Sequence, residues 1–167
     1  MAVANTKSNA VTNADASPRV PNSSYFEDGH ARESVATVEV AAADDDGSVY
    51  RMCRVPSGAR ISHILVANDA ITAGTAYDFG VYRTAADGGA AVDDDLFMSA
   101  VDMSSARDQL TDLTYESASI NIDKVEKRLW ELLGLSADPF VEYDLAFTAD
   151  TVGTAAGTIS VVVSHVM

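Results

Sequence analysis

Cysteine is nearly absent from this sequence. Cys53 stands alone, which excludes an intramolecular disulfide and any zinc site built on several thiolates. Bases are scarce as well: 11 Lys and Arg, eight of them Arg, stand against 25 acids, of which 18 are Asp, for a formal net charge of −14. So acidic a chain lacks the clustered cations that hold nucleic-acid phosphates, and nucleic acid is excluded as a partner on that ground. The same charge favours solubility and repulsion between copies. No apolar run approaches the roughly 18 residues needed to cross a bilayer, so no membrane is expected as a partner. Met1–Ala10 has neither the basic start nor the apolar centre of a secretory signal, and the expectation is a protein made in a cytoplasm.

What is present is enough for a core. The chain has 167 residues, 47% of them hydrophobic, which suits one domain plus an arm. Residues 1–31 read as an extended N-terminal arm. Met1–Asn22 is rich in small polar residues without sustained periodicity, and Pro18 and Pro21 bracket Arg19-Val20. Tyr25 and Phe26 are its aromatics, suited either to pinning the arm to its own domain or to inserting into a neighbour. Arg19, Val20, Pro21, Tyr25 and Phe26 are the candidate partner-contact residues.

Residues 32–167 carry strand patterns. Ala36, Val38 and Val40 alternate with Thr37 and Glu39. After the turn Asp44–Gly47, Val49, Arg51, Cys53 and Val55 point one way and Tyr50, Met52 and Arg54 the other. Cys53 then reads as a small core or interface residue. Pro56-Ser57-Gly58 closes a hairpin. Ile64-Leu65-Val66 suggests a strand covered on both sides, and Tyr77, Phe79 and Val81 a half-buried one. Thr84–Asp95 reads as a long loop, Leu96–Met103 as a helical turn or irregular crossing, and Leu110–Tyr115 as a short weak strand. A helix is expected over Lys124–Leu133. Asp123 and Glu126 would form its capping box, Lys127 and Glu131 would pair, and Gly134 would end it with Leu135 folded back on Trp130. Tyr143–Thr148 and Thr158–Val166 close the chain, the last strand with Ile159, Val161 and Val163 inward and lying inside a sheet. The sum is a mainly β protein: a jelly-roll-like antiparallel β-sandwich with one short α-helix, about residues 123–133, and an extended N-terminal arm.

No pattern for bond-making chemistry stands out. His30, His63 and His165 lack metal-site spacing; His63 reads as a buried strand residue and His165 as a strand end. Ser57 is a turn serine without a nucleophile-elbow context. Phosphate-binding glycine loops are missing. Asp44–Asp46 and Asp93–Asp95 are consecutive, so neighbouring carboxylates on extended chain diverge, and they read as solvated loop tips. No catalytic, metal or cofactor-binding residue is assigned, and an enzyme is not expected.

Three segments carry a resemblance. Tyr77–Ala106 holds a Tyr-Asp strand followed by Asp-Leu-Phe-Met-Ser-Ala. Ile120–Pro139 holds a Leu-Trp-Glu-Leu helix ending in Gly, then Asp-Pro. Tyr143–Val166 ends in a Gly-Thr-led last strand. This succession resembles the capsid decoration, or cement, proteins of tailed phages, over most of residues 33–167 and not the arm. The resemblance implies a jelly-roll domain on the outer surface of an expanded head. Its partners would be the major capsid protein, whose subunits it bridges, and other copies of itself, a homotrimer ahead of a dimer. The alternative is another virion binding module, such as a head fibre, tail component or carbohydrate-binding sandwich, with Tyr50, Tyr82 and Tyr115 as candidate sugar contacts.

Overall fold

The computed structural model describes residues 6–27, 29–72 and 75–167. Eight strands form two antiparallel sheets. They are β1 (Ala31–Val40), β2 (Ser48–Pro56), β3 (Arg60–Asn68), β4 (Ala76–Arg83), β5 (Ala91–Val101), β6 (Arg107–Asp112), β7 (Glu142–Thr151) and β8 (Gly157–Val166). The sheet orders are β1-β8-β3-β6 and β2-β7-β4-β5. Strand pairs β1/β8, β2/β7, β3/β6 and β4/β5 are those of one long hairpin wrapped around a barrel, which is the jelly-roll winding. The closing strand β8 lies inside its sheet, as expected, with Ile159, Val161 and Val163 fully buried. Between the sheets, Phe79 packs against Phe147 at 4.4 Å between ring centroids and against Phe97 at 6.3 Å.

Several local expectations are corrected. β2 does not alternate straight through: its register with β7 shifts between Arg51 and Cys53. Tyr50 and Met52 pack toward the core before this bulge, and Cys53 and Val55 after it. The extra residue reverses the strand's parity. Arg51 and Arg54, three apart, therefore reach one carboxylate: Arg51 Nη1 lies 3.0 Å and Arg54 Nε 2.7 Å from the buried Asp144 on β7. Cys53 is the half-buried, core-facing residue expected, with its thiol pKa pushed up to about 11 by burial and by Asp144.

The Thr84–Asp95 stretch is not a continuous loop. A single 3-10 turn (Ala85–Asp87) leads into β5, which contains most of Leu96–Met103 as strand rather than helical turn. Met98 faces Phe79 and Asp93 faces Val81, so the intervening residues of β5 bulge out over β4. Gly80 makes this possible. A Cβ there would collide with the backbone carbonyl groups of Asp93 and Asp94. The fold-over buries β4 on both faces, not one, with Asp78 and Tyr82 nearly as enclosed as Phe79.

The expected helix is mostly absent. Lys124–Leu133 contains the end of a 3-10 turn (Ile122–Lys124) capped by Asn121, and one α-helical turn, Leu129–Leu132. The start of this α-helical turn is capped by Glu131, whose Oε2 accepts from Arg128 N–H at 2.9 Å, and not by Asp123 with Glu126. The helix starts late because the backbone N–H groups of Leu129 and Trp130 donate to the carbonyls of Ala59 and Ser57, tying the segment to the β2–β3 turn. Its end agrees with the sequence: Gly134 has φ +70°, Leu135 N–H donates to Trp130 O at 3.1 Å, and Lys127 reaches Glu131 at 3.9 Å.

The histidine expectations are exchanged. A second bulge, between Ile61 and His63, turns His63 to solvent, where it lies 2.9 Å from Asp112. His165 is the buried one, its Nδ1 unpartnered and its pKa lowered by burial and by Arg32. Leu65 is only half-buried, so β3 is covered chiefly on one side. Two of the turn aspartates hold local structure: Asp44 accepts from Ala41 N and Tyr50 Oη, and Asp46 from Val152 N.

Three outcomes follow from these contacts. Asp144→Ala leaves two half-exposed guanidiniums without their shared acceptor and should cost about 1–3 kcal/mol in urea unfolding, whereas Gly80→Ala, pressed against backbone, should cost about 3 kcal/mol or more. Asp78 has its pKa raised by burial and by Asp150 and Asp95, although Ala100 N–H donates to it. A carboxyl raised in the folded state favours folding at low pH and loses that advantage as pH climbs through the folded value. Asp78→Asn keeps the acceptor without the charge. It should raise Tm at pH 7, with the gain shrinking toward pH 4.

Candidate functional site

The two ends of the sandwich differ in chemistry. One end, the near end, holds the arm's junction with β1, the β2–β3 turn, the β4–β5 turn, the long β6–β7 crossing (residues 113–141) and the C-terminus. The ladder pairs Ala31↔Val166, Arg60↔Val166 and Pro56↔Glu142 place them together. The far end holds the β1–β2, β3–β4, β5–β6 and β7–β8 connections.

Ten of the 11 bases belong to the arm or the near half. Only Arg107, at the start of β6, sits far. Arg51 counts as near because its guanidinium donates to the carbonyls of Arg83 and Gly89. The described far-end connections carry Asp44, Asp45, Asp46, Asp69 and Asp102 and no base. The molecule is an electrostatic dipole, acidic at the far end and mixed at the near end.

The near end also exposes the largest apolar side chains. Phe140 is 91% and Ile122 86% exposed, with Tyr115, Val125, Leu135 and Val141 partly so. Loop hydrogen bonds hold Phe140 out. Ser57, 1% exposed, donates to Asp138 Oδ1 and accepts from Val141 N at 3.2 Å, and Asp138 Oδ1 also accepts from Phe140 N at 2.9 Å. Phe140 sits at φ +54°, a conformation that costs free energy for a bulky residue. A buried serine and a half-buried aspartate thus hold a strained phenylalanine in water. Sequence reading placed Ser57 in a turn and missed Phe140; the Asp-Pro-Phe-Val order contains the residues but nothing of their orientation.

The arm lies against this same end. It is less extended than expected: Asn9–Ala14 forms a short helix capped by Ser8. The chain then doubles back, with Val20 N–H donating to Asn13 O and Asn13 Nδ2 to Asn22 Oδ1. Tyr25 is pinned to its own domain. Arg60 Nε donates to its carbonyl at 2.8 Å, and the Arg128 guanidinium lies 4.8 Å from its ring and 5.0 Å from that of Trp130. Phe26 touches Tyr25 at 4.4 Å yet stays 46% exposed, and Arg19, Val20 and Pro21 are exposed. Of the five candidate contacts, then, Tyr25 anchors the arm and the other four face outward. A shallow groove of about 560 Å³ runs between the arm helix, Phe26, Arg60, Val125 and Glu126.

Elsewhere the surface offers less. Among the described residues no group of three or more His, Cys, Asp or Glu is arranged to hold a metal ion. Tyr82 is buried with its hydroxyl on Thr148, and Tyr50 is half-buried on Asp44, so only Tyr115 remains open of the three candidate sugar contacts.

No known family model matches the sequence, and no curated protein is similar to it. Among solved structures, a chain of the cyanophage Pam1 capsid asymmetric unit superposes with a TM-score of 0.54 at 14% identity, covering 100% of this chain and 99% of that one. A chain of the capsid of Ralstonia phage GP4 gives the same TM-score and identity over 89% of this chain and 88% of that one. At such identity what is shared is the fold: this chain has the same overall sandwich as a chain found in a phage capsid.

Proposed function

We propose that this chain is a non-enzymatic virion structural protein that binds the outer surface of an expanded phage capsid and stabilises it by bridging major capsid protein subunits. The observation that carries the reading is the full-length match to a chain from a phage capsid, in a molecule whose own surface is polarised into an apolar docking end and an acidic free end. The near end, with Phe140, Ile122 and the exposed arm residues Arg19, Val20, Pro21 and Phe26, seats on the shell. The far end faces solvent. An outer position suits the charge, because a −14 chain is repelled by packaged DNA.

Bridging suits the division into an arm (residues 1–31) and a body (residues 32–167). The body covers one subunit and the arm reaches toward the next. Copies gathered at local symmetry axes, as trimers or dimers, multiply weak single contacts into firm attachment. The major capsid protein and other copies of the chain are the partners in this reading, and no cofactor enters it.

The test is co-sedimentation of the purified chain with expanded capsids that lack it. Ile122→Asp and Phe140→Asp change side chains that are 86% and 91% exposed, so Tm should hold while retention falls at least tenfold. Removal of residues 1–30 should leave one cooperative unfolding transition and also weaken retention. Unaltered binding by both point variants would refute the near end as the docking surface; absence of binding by the wild-type chain would refute the capsid role.

A further inference from the structure

Three of the four sheet edges are blunted against the addition of another strand. β2 carries its bulge and ends on Pro56. β5 is bulged and presents Asp93, Asp94 and Asp95. β6 has six residues, a shifted register and charges at Arg107, Asp108 and Asp112. These are the devices by which sheet proteins avoid edge-to-edge association.

β1 has none of them. Its ten residues keep unbroken register with β8 from Ala31↔Val166 to Val40↔Gly157. They include no Pro or Gly, and the charges Arg32, Glu33 and Glu39 lie toward the two ends. At the centre Val35 is 68% exposed. Among the described residues of the arm none pairs with this edge, and Tyr25 is held at Arg60 and Arg128, beyond β8. About 33 Å of straight, unpaired ladder is thus left open in a molecule that protects its other edges.

We propose that β1 pairs with β1 of a second copy of this chain, antiparallel about a two-fold axis through Val35, joining two four-stranded sheets into one. Charge favours a second copy in this register. The two Val35 side chains meet on the axis, Glu33 faces Thr37, and Arg32 faces Val38, so no like charges oppose. Moving the axis to Ala36 would set Glu33 against Glu39. The antiparallel arrangement also lays the acidic far end of each copy beside the base-bearing near end of the other, where a parallel one would stack acid on acid. The contact is isologous and closes on itself, leaving no regular edge free for a third strand. It stands apart from the capsid reading. Where both hold, the two docking ends lie at opposite extremes of the dimer, as a bridge between neighbouring subunits requires, and of trimer and dimer the dimer is selected.

Sedimentation of the full-length chain decides it. The wild type should run as two chains at tens of micromolar. Val35→Lys places two ammonium groups on the axis at an exposed position; it should weaken dimerisation at least tenfold while Tm, measured at dilutions where both chains are monomeric, stays unchanged. Val35→Cys should cross-link under mild oxidation through the introduced thiols, whereas Leu110→Cys on β6 should not. A monomeric wild type, a trimer, a dimer indifferent to Val35→Lys, or no cross-link at position 35 would each overturn the proposal. Pairing of β1 only in the presence of capsids would overturn it too, in favour of a strand supplied by another protein. Capsid retention by the Val35→Lys monomer separates the readings: it tests docking with self-pairing removed.

Discussion

The structure depends on where its last two strands sit. β7 is hydrogen-bonded to both β2 and β4, and β8 to both β1 and β3. Without them the first strand has no neighbour and β2 and β4 do not meet. The pairings join distant parts of the chain, Ala31 with Val166 at the extreme, so loop-closure entropy must be overcome before the sheets exist. This explains the composition of the two strands. β8 alternates fully buried Ile159, Val161 and Val163 with small or β-branched outward residues, and β7 is buried on both faces along most of its length. They hold the centre because they are apolar enough to do so.

The bulges are the second organising device. Each inserts an extra residue, and every side chain beyond it in the strand changes face. In β2 the reversal lets Arg51 and Arg54 converge on Asp144, neutralising the one acid that β7 buries. In β3 it turns His63 out. In β5 the longer excursion carries the acidic run across the outer face of β4, where Gly80 leaves room. A protein with many aspartates and few bases thus encloses Asp144 with two guanidinium donors and Asp78 with one backbone N–H.

Polarity along the sandwich axis links fold to function. The jelly-roll winding sends alternate connections to opposite ends. The far-end connections carry Asp44, Asp45, Asp46, Asp69 and Asp102; the near-end β6–β7 crossing is long and carries Lys124, Lys127, Arg128, Ile122 and Phe140. Winding therefore converts a pattern spread along the chain into one acidic end and one apolar end. Desolvation would favour covering the near end rather than the far one: phenylalanine and isoleucine gain by leaving water, and clustered aspartates do not.

The alternation of β1, the turn at Asp44–Gly47, the inward set of β8, the Gly134 helix stop and the mainly β class were all legible in the sequence, because each rests on neighbours within a few residues. Patterns that cross elements were not. The Lys124–Leu133 stripe looks helical alone, yet Ala59 and Ser57 take the N–H groups of Leu129 and Trp130 and shorten it to one turn. The alternation from Val49 to Val55 hides a bulge that exists to satisfy Asp144, 90 residues away from Arg54. The arm aromatics could be named but not assigned until Arg128 was found stacked on Tyr25. The sequence by itself determined the class of fold and the acidic, disulfide-free surface, since period and composition act locally. Only tertiary structure decided which end is apolar, that Phe140 stands in water and that β1 is the unguarded edge, since each depends on strands brought together across the length of the chain.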